Sequence, residues 1–256
     1  MKYKQYDYLT YEKPAIDGEM ASWWSNHWGN RVELRTNLRD EPLWATIEDI
    51  VQIPGFLLEA GCGPGQWVQF FNSLGHKTIG LDYAEKTLIK SKSVNPALRL
   101  LAGDLRYLPF PDNCFDYIYC NGAIEHDEKG PETSLKEFHR VLKPSGWLMC
   151  SVPCLNVERT LAIGLMMARD WLKRQEFIRR IAGKKIPFVF YQYVFSRALY
   201  KLHLTRAGFN VLFLRPYGHR KNSWIRKLIF MISKDVSDFY CPHMMMAICR
   251  KEDIYQ

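Results

Sequence analysis

The sequence predicts an α/β protein built on a mainly parallel sheet, and three successive features indicate it. An apolar run from Phe56 to Leu58 is typical of a buried strand and ends at Glu59. A glycine-rich loop spans residues 61–65, and apolar side chains then recur at helical spacing as far as Leu74. A second apolar run ends at Asp82. Strand, glycine loop, helix and strand in this order form a βαβ unit of the kind that binds nucleotides.

The loop does not match two common classes of nucleotide site. Gly61, Gly63 and Gly65 alternate, which permits positive φ angles and lets a ligand approach the backbone closely. A dinucleotide fingerprint needs a glycine where Gln66 stands, and a triphosphate loop needs a Lys-Ser or Lys-Thr pair that is absent. Asp82 lies 21 residues after Gly61, a spacing suited to holding both hydroxyls of a ribose.

Beyond Asp82, helical and strand patterns continue to alternate. The predicted helices are Ala84–Ser93, Glu132–Leu142, Arg197–Ala207 with Ser196 as N-cap, and Trp224–Ile232. The predicted strands are Leu98–Leu101, Phe115–Cys120, Trp147–Val152 after a turn at residues 143–146, Phe209–Leu214 and Met244–Arg250. Before the first strand, residues 1–20 are expected to form a loosely structured arm, with helices over Met20–Leu38 and Asp40–Val51.

Three motifs point to a known family. They are E-x-G-C-G-P-G from Glu59 to Gly65, L-P-F-P-D-N-C-F-D from Leu108 to Asp116, and E-F-H-R-V-L-K-P-S-G-W-L from Glu137 to Leu148. With an acid ending the second strand, the chain resembles the class I S-adenosylmethionine (SAM) methyltransferases, and in particular the type 11 group. The resemblance is dense from about residue 55 to residue 153.

The resemblance implies a Rossmann-like sheet of seven mostly parallel strands in the order 3-2-1-4-5-7-6, with the last strand antiparallel. It implies helices on both faces and a helical lid insertion after strand 5. The expected organisation is an N-terminal arm and helical lid over residues 1–52, followed by a SAM-binding domain over residues 53–256. Residues 154–195 would be a basic and aromatic lid insertion, and either an interface-lying segment or a pocket cap explains its composition. The tryptophans near residue 24 suit a lid over the cofactor or packing at the sheet edge.

The resemblance also assigns residues to the site. The residues expected to bind the cofactor, SAM (product S-adenosylhomocysteine), are Glu59, Gly61, Cys62, Gly63, Gly65, Trp67, Asp82, Tyr83, Gly103, Asp104, Leu105 and Asn121. In the family an acid after the third strand hydrogen-bonds the adenine amino group, and Asp104 occupies that position. Glu125, Tyr191, Tyr193 and His219 are candidate substrate residues, with Glu125 also suited to the methionyl end of the cofactor. No metal site is expected.

His126 is the candidate general base. It follows the fourth strand, at the edge where ligands bind in open α/β sheets, and an unperturbed imidazole titrates at about 6.5. A purely structural role, in which the histidine orients its loop, is the alternative.

Composition separates the two halves of the chain. Residues 1–150 hold 16 Lys and Arg against 20 Asp and Glu, whereas residues 151–256 hold 19 against 7. The basic half is either a solvated surface or a face for an anionic partner such as lipid headgroups, a phosphorylated carrier or nucleic acid. Seven scattered cysteines, and the lack of a signal peptide or a membrane span, indicate a cytoplasmic protein, with peripheral contact at the inner membrane face as an option.

Three functions remain open at this level. The first is a SAM-dependent methyltransferase acting at O, N or C of a small-molecule or lipid- or glycan-linked acceptor. The second is an RNA methyltransferase that uses the basic half, although no N-P-P-Y-type sequence follows the fourth strand. The third is a SAM-binding regulator without turnover. The sequence does not identify the acceptor or the oligomeric state.

Overall fold

The structure is a computed structural model. It describes residues 2–7, 24–28, 34–35, 37–155, 189–218 and 243–252. The predicted helix over residues 224–232, His219 and most of the predicted lid insertion lie outside these ranges, as does the side chain of Tyr191.

The described residues contain nine strands and four α-helices. The strands are β1 (Lys2–Asp7), β2 (Phe56–Ala60), β3 (Lys77–Asp82), β4 (Leu100–Ala102), β5 (Phe115–Asn121), β6 (Leu142–Pro153), β7 (Val189–Phe195), β8 (Phe209–Tyr217) and β9 (Met244–Lys251). The helices are α1 (Gln66–Ser73), α2 (Glu85–Val94), α3 (Glu132–Val141) and α4 (Arg197–Arg206). Residues 24–28 add a short helical segment.

Seven strands form the central sheet in the order β4-β3-β2-β5-β6-β9-β8. β9 runs antiparallel to both of its neighbours, and the other described pairings within this sheet are parallel. Numbered within the sheet alone, the order is 3-2-1-4-5-7-6, so the predicted Rossmann-like topology is confirmed. The carboxyl ends of β2, β3, β4, β5 and β6 therefore meet at one edge of the sheet.

Hydrophobic layers cover both faces of the sheet. Along β2, Leu58 packs with residues of α3 and α4, whereas Leu57 packs with α1 and with residues 38–51. The same alternation continues in β5, where Ile118 belongs to the first layer and Tyr119 to the second. Successive side chains of a strand point to opposite faces, which is why these apolar runs are buried on both sides.

The start of the predicted N-terminal arm and the end of the predicted lid insertion differ from expectation. Residues 2–7 are not loosely structured: β1 pairs antiparallel with β7, from Lys2 opposite Phe195 to Asp7 opposite Val189. The insertion predicted as helical therefore ends in a strand, because a run rich in aromatic and β-branched residues favours a pleated surface.

Four local predictions need correction. Asp40–Val51 does not form an α-helix. It forms turns around a single 3-10 turn at Trp44–Thr46, where the Thr46 hydroxyl donates to the Leu43 carbonyl oxygen at 2.6 Å. The helix predicted to reach Leu38 is absent at residues 34–35 and 37–38. The third strand begins at Leu100, because the Leu98 N–H donates to the Asn95 carbonyl oxygen at 3.2 Å and closes a turn instead of pairing with β3. The turn at residues 143–146 bulges within β6, so Phe115 pairs with Leu142 while Tyr117 pairs with Trp147.

Candidate functional site

The glycine loop is held tightly at the carboxyl end of β2. The N–H groups of Gly61 and Cys62 donate to the Leu81 carbonyl oxygen at 2.8 and 3.1 Å. Gly61, Gly63 and Gly65 all have positive φ angles, of 78°, 51° and 81°. A Cβ on Gly61 would lie 2.4 Å from the Ala123 Cβ, so a larger residue would push the loop away from the segment after β5.

Asp82 connects the loop to the end of β3. One carboxylate oxygen accepts from the Gly63 N–H at 2.7 Å, and the other accepts from the Ala84 N–H at 2.8 Å. Burial raises the pKa of Asp82, and these backbone hydrogen bonds oppose that rise. Each oxygen keeps a second lone-pair direction, so the carboxylate can still accept two hydroxyl groups.

Glu59 lies beneath the loop as a buried acid. Its side chain is 4% exposed, and its Oε2 has no hydrogen-bond partner among the described residues. Burial raises the pKa of Glu59 well above its usual value, although the Val68 N–H donates to it. Because a buried polar atom without a partner is costly, Oε2 is a position where a ligand donor would be stabilised.

A second polar cluster follows β3 and β4. The Tyr83 hydroxyl donates to Asp104 Oδ2 at 2.6 Å, and Arg106 forms an ion pair with the same oxygen at 2.7 Å. The Gly103 N–H donates to the Asp82 carbonyl oxygen at 3.0 Å, so this cluster adjoins Asp82. Leu105 lies beside the loop, with Cδ1 3.8 Å from a Cβ built on Gly61.

Asn121 belongs to a cluster at the ends of three strands. Its Oδ1 accepts from the Ser151 hydroxyl at 2.7 Å and lies 3.1 Å from the Tyr217 hydroxyl oxygen. The Tyr217 hydroxyl is also 2.9 Å from Ser151 Oγ. Burial raises the pKa of Tyr217, so its phenol stays protonated and acts as a donor.

Glu125 and His126 lie on the 3-10 turn after β5. Glu125 is buried, with Oε1 3.4 Å from a Cβ built on Gly122, and His126 Nε2 lies 4.0 Å from that oxygen. The Trp24 ring meets the His126 ring edge to face, with centroids 4.8 Å apart. The sequence-predicted base therefore has an acid and an aromatic ring as neighbours.

The helical segment of residues 24–28 covers this edge of the sheet. The Trp28 ring would lie 3.1 Å from a Cβ on Gly63, and Trp24 reaches His126. His27 bridges the two tryptophans, at 5.4 Å from each ring. The two tryptophans thus extend from the glycine loop to the candidate base. The sequence had left two roles open for them, a lid over the cofactor and packing at the sheet edge, and these contacts favour the lid.

Three predicted site residues have side chains that make structural contacts. Trp67 packs in the core against Phe70, Phe71 and Tyr119. Tyr193 is 3% exposed, and its hydroxyl donates to the Glu128 carbonyl oxygen at 2.6 Å, so it anchors the loop after β5. The Cys62 thiol is buried, and burial raises its pKa well above the usual value, so it is not a reactive thiolate.

Sequence reasoning missed four contributors to the site: Ala123, Arg106, Ser151 and Tyr217. Arg106 stands two residues after a predicted cofactor acid, a spacing at which an Asp side chain commonly bonds the backbone. Ser151 and Tyr217 carried no local signal, because strand pairing brings them to Asn121. Ser151 lies opposite Asn121 in the pairing of β5 with β6, and Tyr217 reaches both through the pairings of β9 with β6 and β8.

Two absences concern the described residues only. None of their helices has both the length and the apolar character needed to cross a bilayer. Within those same ranges, no three His, Cys, Asp or Glu side chains are grouped closely enough to hold a metal ion.

Comparison with known proteins gives matches of two kinds. Residues 58–150 match the family described as "Methyltransferase domain", of type 11. A malonyl-[acyl-carrier protein] O-methyltransferase of Hamiltonella defensa is 32% identical over 47% of this chain and 44% of its own length. A demethylmenaquinone methyltransferase of Staphylococcus epidermidis is 36% identical over 47% of this chain and 59% of its own length. The chain thus spans about half the length of these curated relatives.

Solved structures share the fold. A 1,6-didemethyltoxoflavin-N1-methyltransferase of Burkholderia thailandensis, solved with bound 1,6-didemethyltoxoflavin and S-adenosylhomocysteine, superposes with a TM-score of 0.61 at 15% identity. That match covers 97% of this chain and all of the other. A SAM-dependent methyltransferase of Mesorhizobium loti gives a TM-score of 0.58 at 16% identity, over 84% of this chain and all of the other.

Proposed function

We propose that this chain transfers the methyl group of SAM to an acceptor, because residues 58–150 match a methyltransferase domain of type 11. The acceptor is a small molecule or a lipid- or glycan-linked molecule, methylated at O, N or C. The observation that supports this most directly is the glycine loop closed by the Asp82 carboxylate, with the partnerless Glu59 oxygen below it.

The residues present fit SAM. Asp82 would accept both ribose hydroxyls, and the methionyl part would lie along the loop from Gly61 to Gly65, since a ligand can approach a glycine backbone closely. Glu59 would face the methionyl ammonium, which supplies the donor that its Oε2 lacks. The backbone of Leu105 would meet the edge of the adenine ring.

When bound, SAM supplies a methyl group activated by its sulfonium, and the bonding pair stays on sulfur as the methyl leaves. The chain's own contribution is to hold the acceptor atom in line with that C–S bond, which supplies on the order of 7–11 kcal/mol. His126 Nε2 would take the proton of an oxygen or carbon acceptor, and Glu125, 4.0 Å away, would stabilise the resulting imidazolium. Trp24 and Trp28 would exclude water from this space.

Two observations support a carrier- or lipid-linked acceptor. The curated relatives are named for malonyl-[acyl-carrier protein] and for demethylmenaquinone. In this chain, the net charge of +12 over residues 151–256 suits an anionic carrier or an anionic membrane surface. We therefore place the protein in the cytoplasm, with peripheral contact at the inner membrane face. The same charge supports RNA as an alternative acceptor.

The test is calorimetric titration with SAM and with S-adenosylhomocysteine. Wild-type protein should bind both, and Asp82→Ala should bind at least about tenfold more weakly because it loses charge-assisted bonds to the ribose. Asp40→Ala, at an exposed acid, is the control and should bind like wild type. Unchanged affinity in Asp82→Ala would contradict the cofactor assignment, and binding without turnover on any acceptor class would favour the regulator.

A further inference from the structure

The acid expected to recognise adenine is already fully engaged. Asp104 Oδ1 accepts from the Arg106 backbone N–H at 2.8 Å and from Arg106 Nε at 3.1 Å. Oδ2 accepts from Arg106 Nε at 2.9 Å, from Arg106 Nη2 at 2.7 Å and from the Tyr83 hydroxyl at 2.6 Å. Arg106 Nη2 also donates to the Tyr83 hydroxyl oxygen at 3.0 Å, which closes the cluster.

This arrangement leaves the acid without accepting capacity. A carboxylate offers about four lone-pair directions, and five donor contacts already converge on this one. Burial opposes ionisation of Asp104, yet the hydrogen bonds from Arg106 and Tyr83 outweigh it and hold its pKa below the usual value. The side chains of Asp104 and Arg106 are only 19% and 16% exposed, so water screens the pair weakly. A purine amino group is a donor, and it can reach this carboxylate only if another donor leaves.

A nearby acid offers the guanidinium a second position. Asp127, in the loop after β5, uses Oδ1 to accept the Lys129 N–H at 2.9 Å. Its Oδ2 is buried and has no hydrogen-bond partner among the described residues. Burial raises the pKa of Asp127, and Arg106 and Asp104 lie close enough to shift it further, in opposite directions. A cation that turned from Asp104 towards Asp127 would satisfy this oxygen.

We propose that Arg106 competes with the 6-amino group of the purine for Asp104, and that Arg106 moves to Asp127 when the cofactor binds. Arg106 is then a specificity-determining residue, because its hold on Asp104 weakens the preference for adenine over a 6-oxo purine. The inference rests on the proposed function, since it concerns the adenosine half of SAM.

The test compares S-adenosylhomocysteine with S-inosylhomocysteine, whose 6-oxo group accepts rather than donates. Both are titrated calorimetrically into wild type, Arg106→Met and the control Arg99→Met, which makes the same replacement at an exposed residue before β4. Arg106→Met should raise the affinity for S-adenosylhomocysteine relative to that for S-inosylhomocysteine by about tenfold, because the released Asp104 carboxylate accepts the 6-amino group. Arg99→Met should leave the ratio unchanged.

Asp127→Asn tests the second position. It should weaken binding of S-adenosylhomocysteine in wild type but have no effect in an Arg106→Met background, where no guanidinium has to move. Weaker binding of both nucleosides in Arg106→Met at an unchanged ratio would overturn the proposal and make Arg106 a support of the loop.

A further variant guards against misfolding. If Arg106→Met does not fold, Tyr83→Phe removes one donor from Oδ2 and should raise the ratio by about threefold. An unchanged ratio there would overturn the proposal as well. Wild-type protein that binds neither nucleoside would instead contradict the proposed function.

Discussion

Three acids at adjacent strand ends show how local partners decide the state of one residue type. Among the described residues Glu59 Oε2 has no hydrogen-bond partner, and burial raises the pKa of Glu59 well above the usual value. Burial also raises the pKa of Asp82, although hydrogen bonds from backbone N–H groups oppose the rise. Burial opposes ionisation of Asp104 too, yet Arg106 and Tyr83 keep its pKa below the usual value. Under the proposed function the first two acids would accept hydrogen bonds from the ligand directly, whereas Arg106 would first have to release the third.

Adding a methyl group at Gly63 should lower both the stability of the protein and its affinity for the ligand, whereas the same change at a control glycine should lower stability alone. In Gly63→Ala the new Cβ lies 3.1 Å from the Trp28 ring, and the residue keeps a φ of 51°. Gly218→Ala is the control, with a φ of 67° and open space around the methyl. Both should lose about 1–2 kcal/mol of stability by chemical denaturation, because left-handed backbone disfavours L-residues. Only Gly63→Ala should also lose affinity for S-adenosylhomocysteine; equal affinities in the two variants would show that Trp28 does not border the ligand.

His126 should affect turnover and not cofactor binding. If it accepts the acceptor's proton, His126→Gln should lower kcat by about 10²–10⁴-fold and remove the acid limb of the pH–rate profile. Affinity for S-adenosylhomocysteine, measured calorimetrically, should stay close to that of wild type. A variant with unchanged kcat and an unchanged profile would leave His126 with its packing against Trp24 alone.

Residue by residue, the sequence was informative where backbone geometry dictates the side chain. The positions of Gly61, Gly63 and Asp82 followed from a loop that needs positive φ and an acid at a strand end. Trp67 could not be placed in this way, since helical spacing does not tell which face of α1 meets the core. The contact of the Tyr193 hydroxyl could not be predicted either, because it donates to a carbonyl oxygen far away in the sequence, at Glu128.

Among the elements, those with strong end signals were predicted best. α4 begins after Ser196, whose hydroxyl oxygen accepts from the Leu199 N–H, and ends before Gly208 at a φ of 93°. β1 was missed, because a polar, tyrosine-rich segment becomes a strand only when β7 supplies its hydrogen bonds. The segment from residue 40 to residue 51 was misassigned because helical spacing alone does not distinguish a helix from consecutive turns that bury the same side chains.

The start of α4 provides a test at this scale. Ser196→Ala removes the N-cap and should lower the free energy of unfolding by about 1 kcal/mol in urea denaturation. Ser93→Ala is the matched control, because that hydroxyl donates to the Lys90 carbonyl oxygen at the exposed end of α2. Its effect should stay within about 0.5 kcal/mol. Equal losses in the two variants would mean that the cap contributes little to the stability of α4.

Across the whole molecule, one buried and one half-buried histidine link stability to pH. His76 accepts the Gly55 N–H at Nδ1 and lies 3.1 Å from the Val51 carbonyl oxygen through Nε2, which requires the neutral ring. Burial lowers the pKa of His76 and also that of His139, which lies against Gly208. Their contribution is therefore fully present above about pH 6.5, where the unfolded histidine is also neutral, and is lost as pH falls below it.

His76→Gln should reduce this dependence, since an amide can both accept from Gly55 and donate to Val51 without titrating. Urea denaturation at pH 7.5 and at pH 5.5 should show a smaller loss of stability on acidification for the variant than for wild type. His139→Gln provides an independent comparison at the second histidine. Identical losses in wild type and both variants would assign the acid sensitivity to other groups.

The position of β9 has a consequence for the order in which the protein can be built. β9 lies between β6 and β8, and all five of its residues from Met245 to Cys249 are fully buried. During synthesis the ribosome releases β2 to β6, which carry the glycine loop and its acids, long before β9. Until β9 arrives, β6 has an open hydrogen-bonding edge and β8 has no partner in the sheet. A nascent chain would thus hold a nearly complete cofactor site on an unfinished sheet, exposed to aggregation and to the chaperones that recognise such edges.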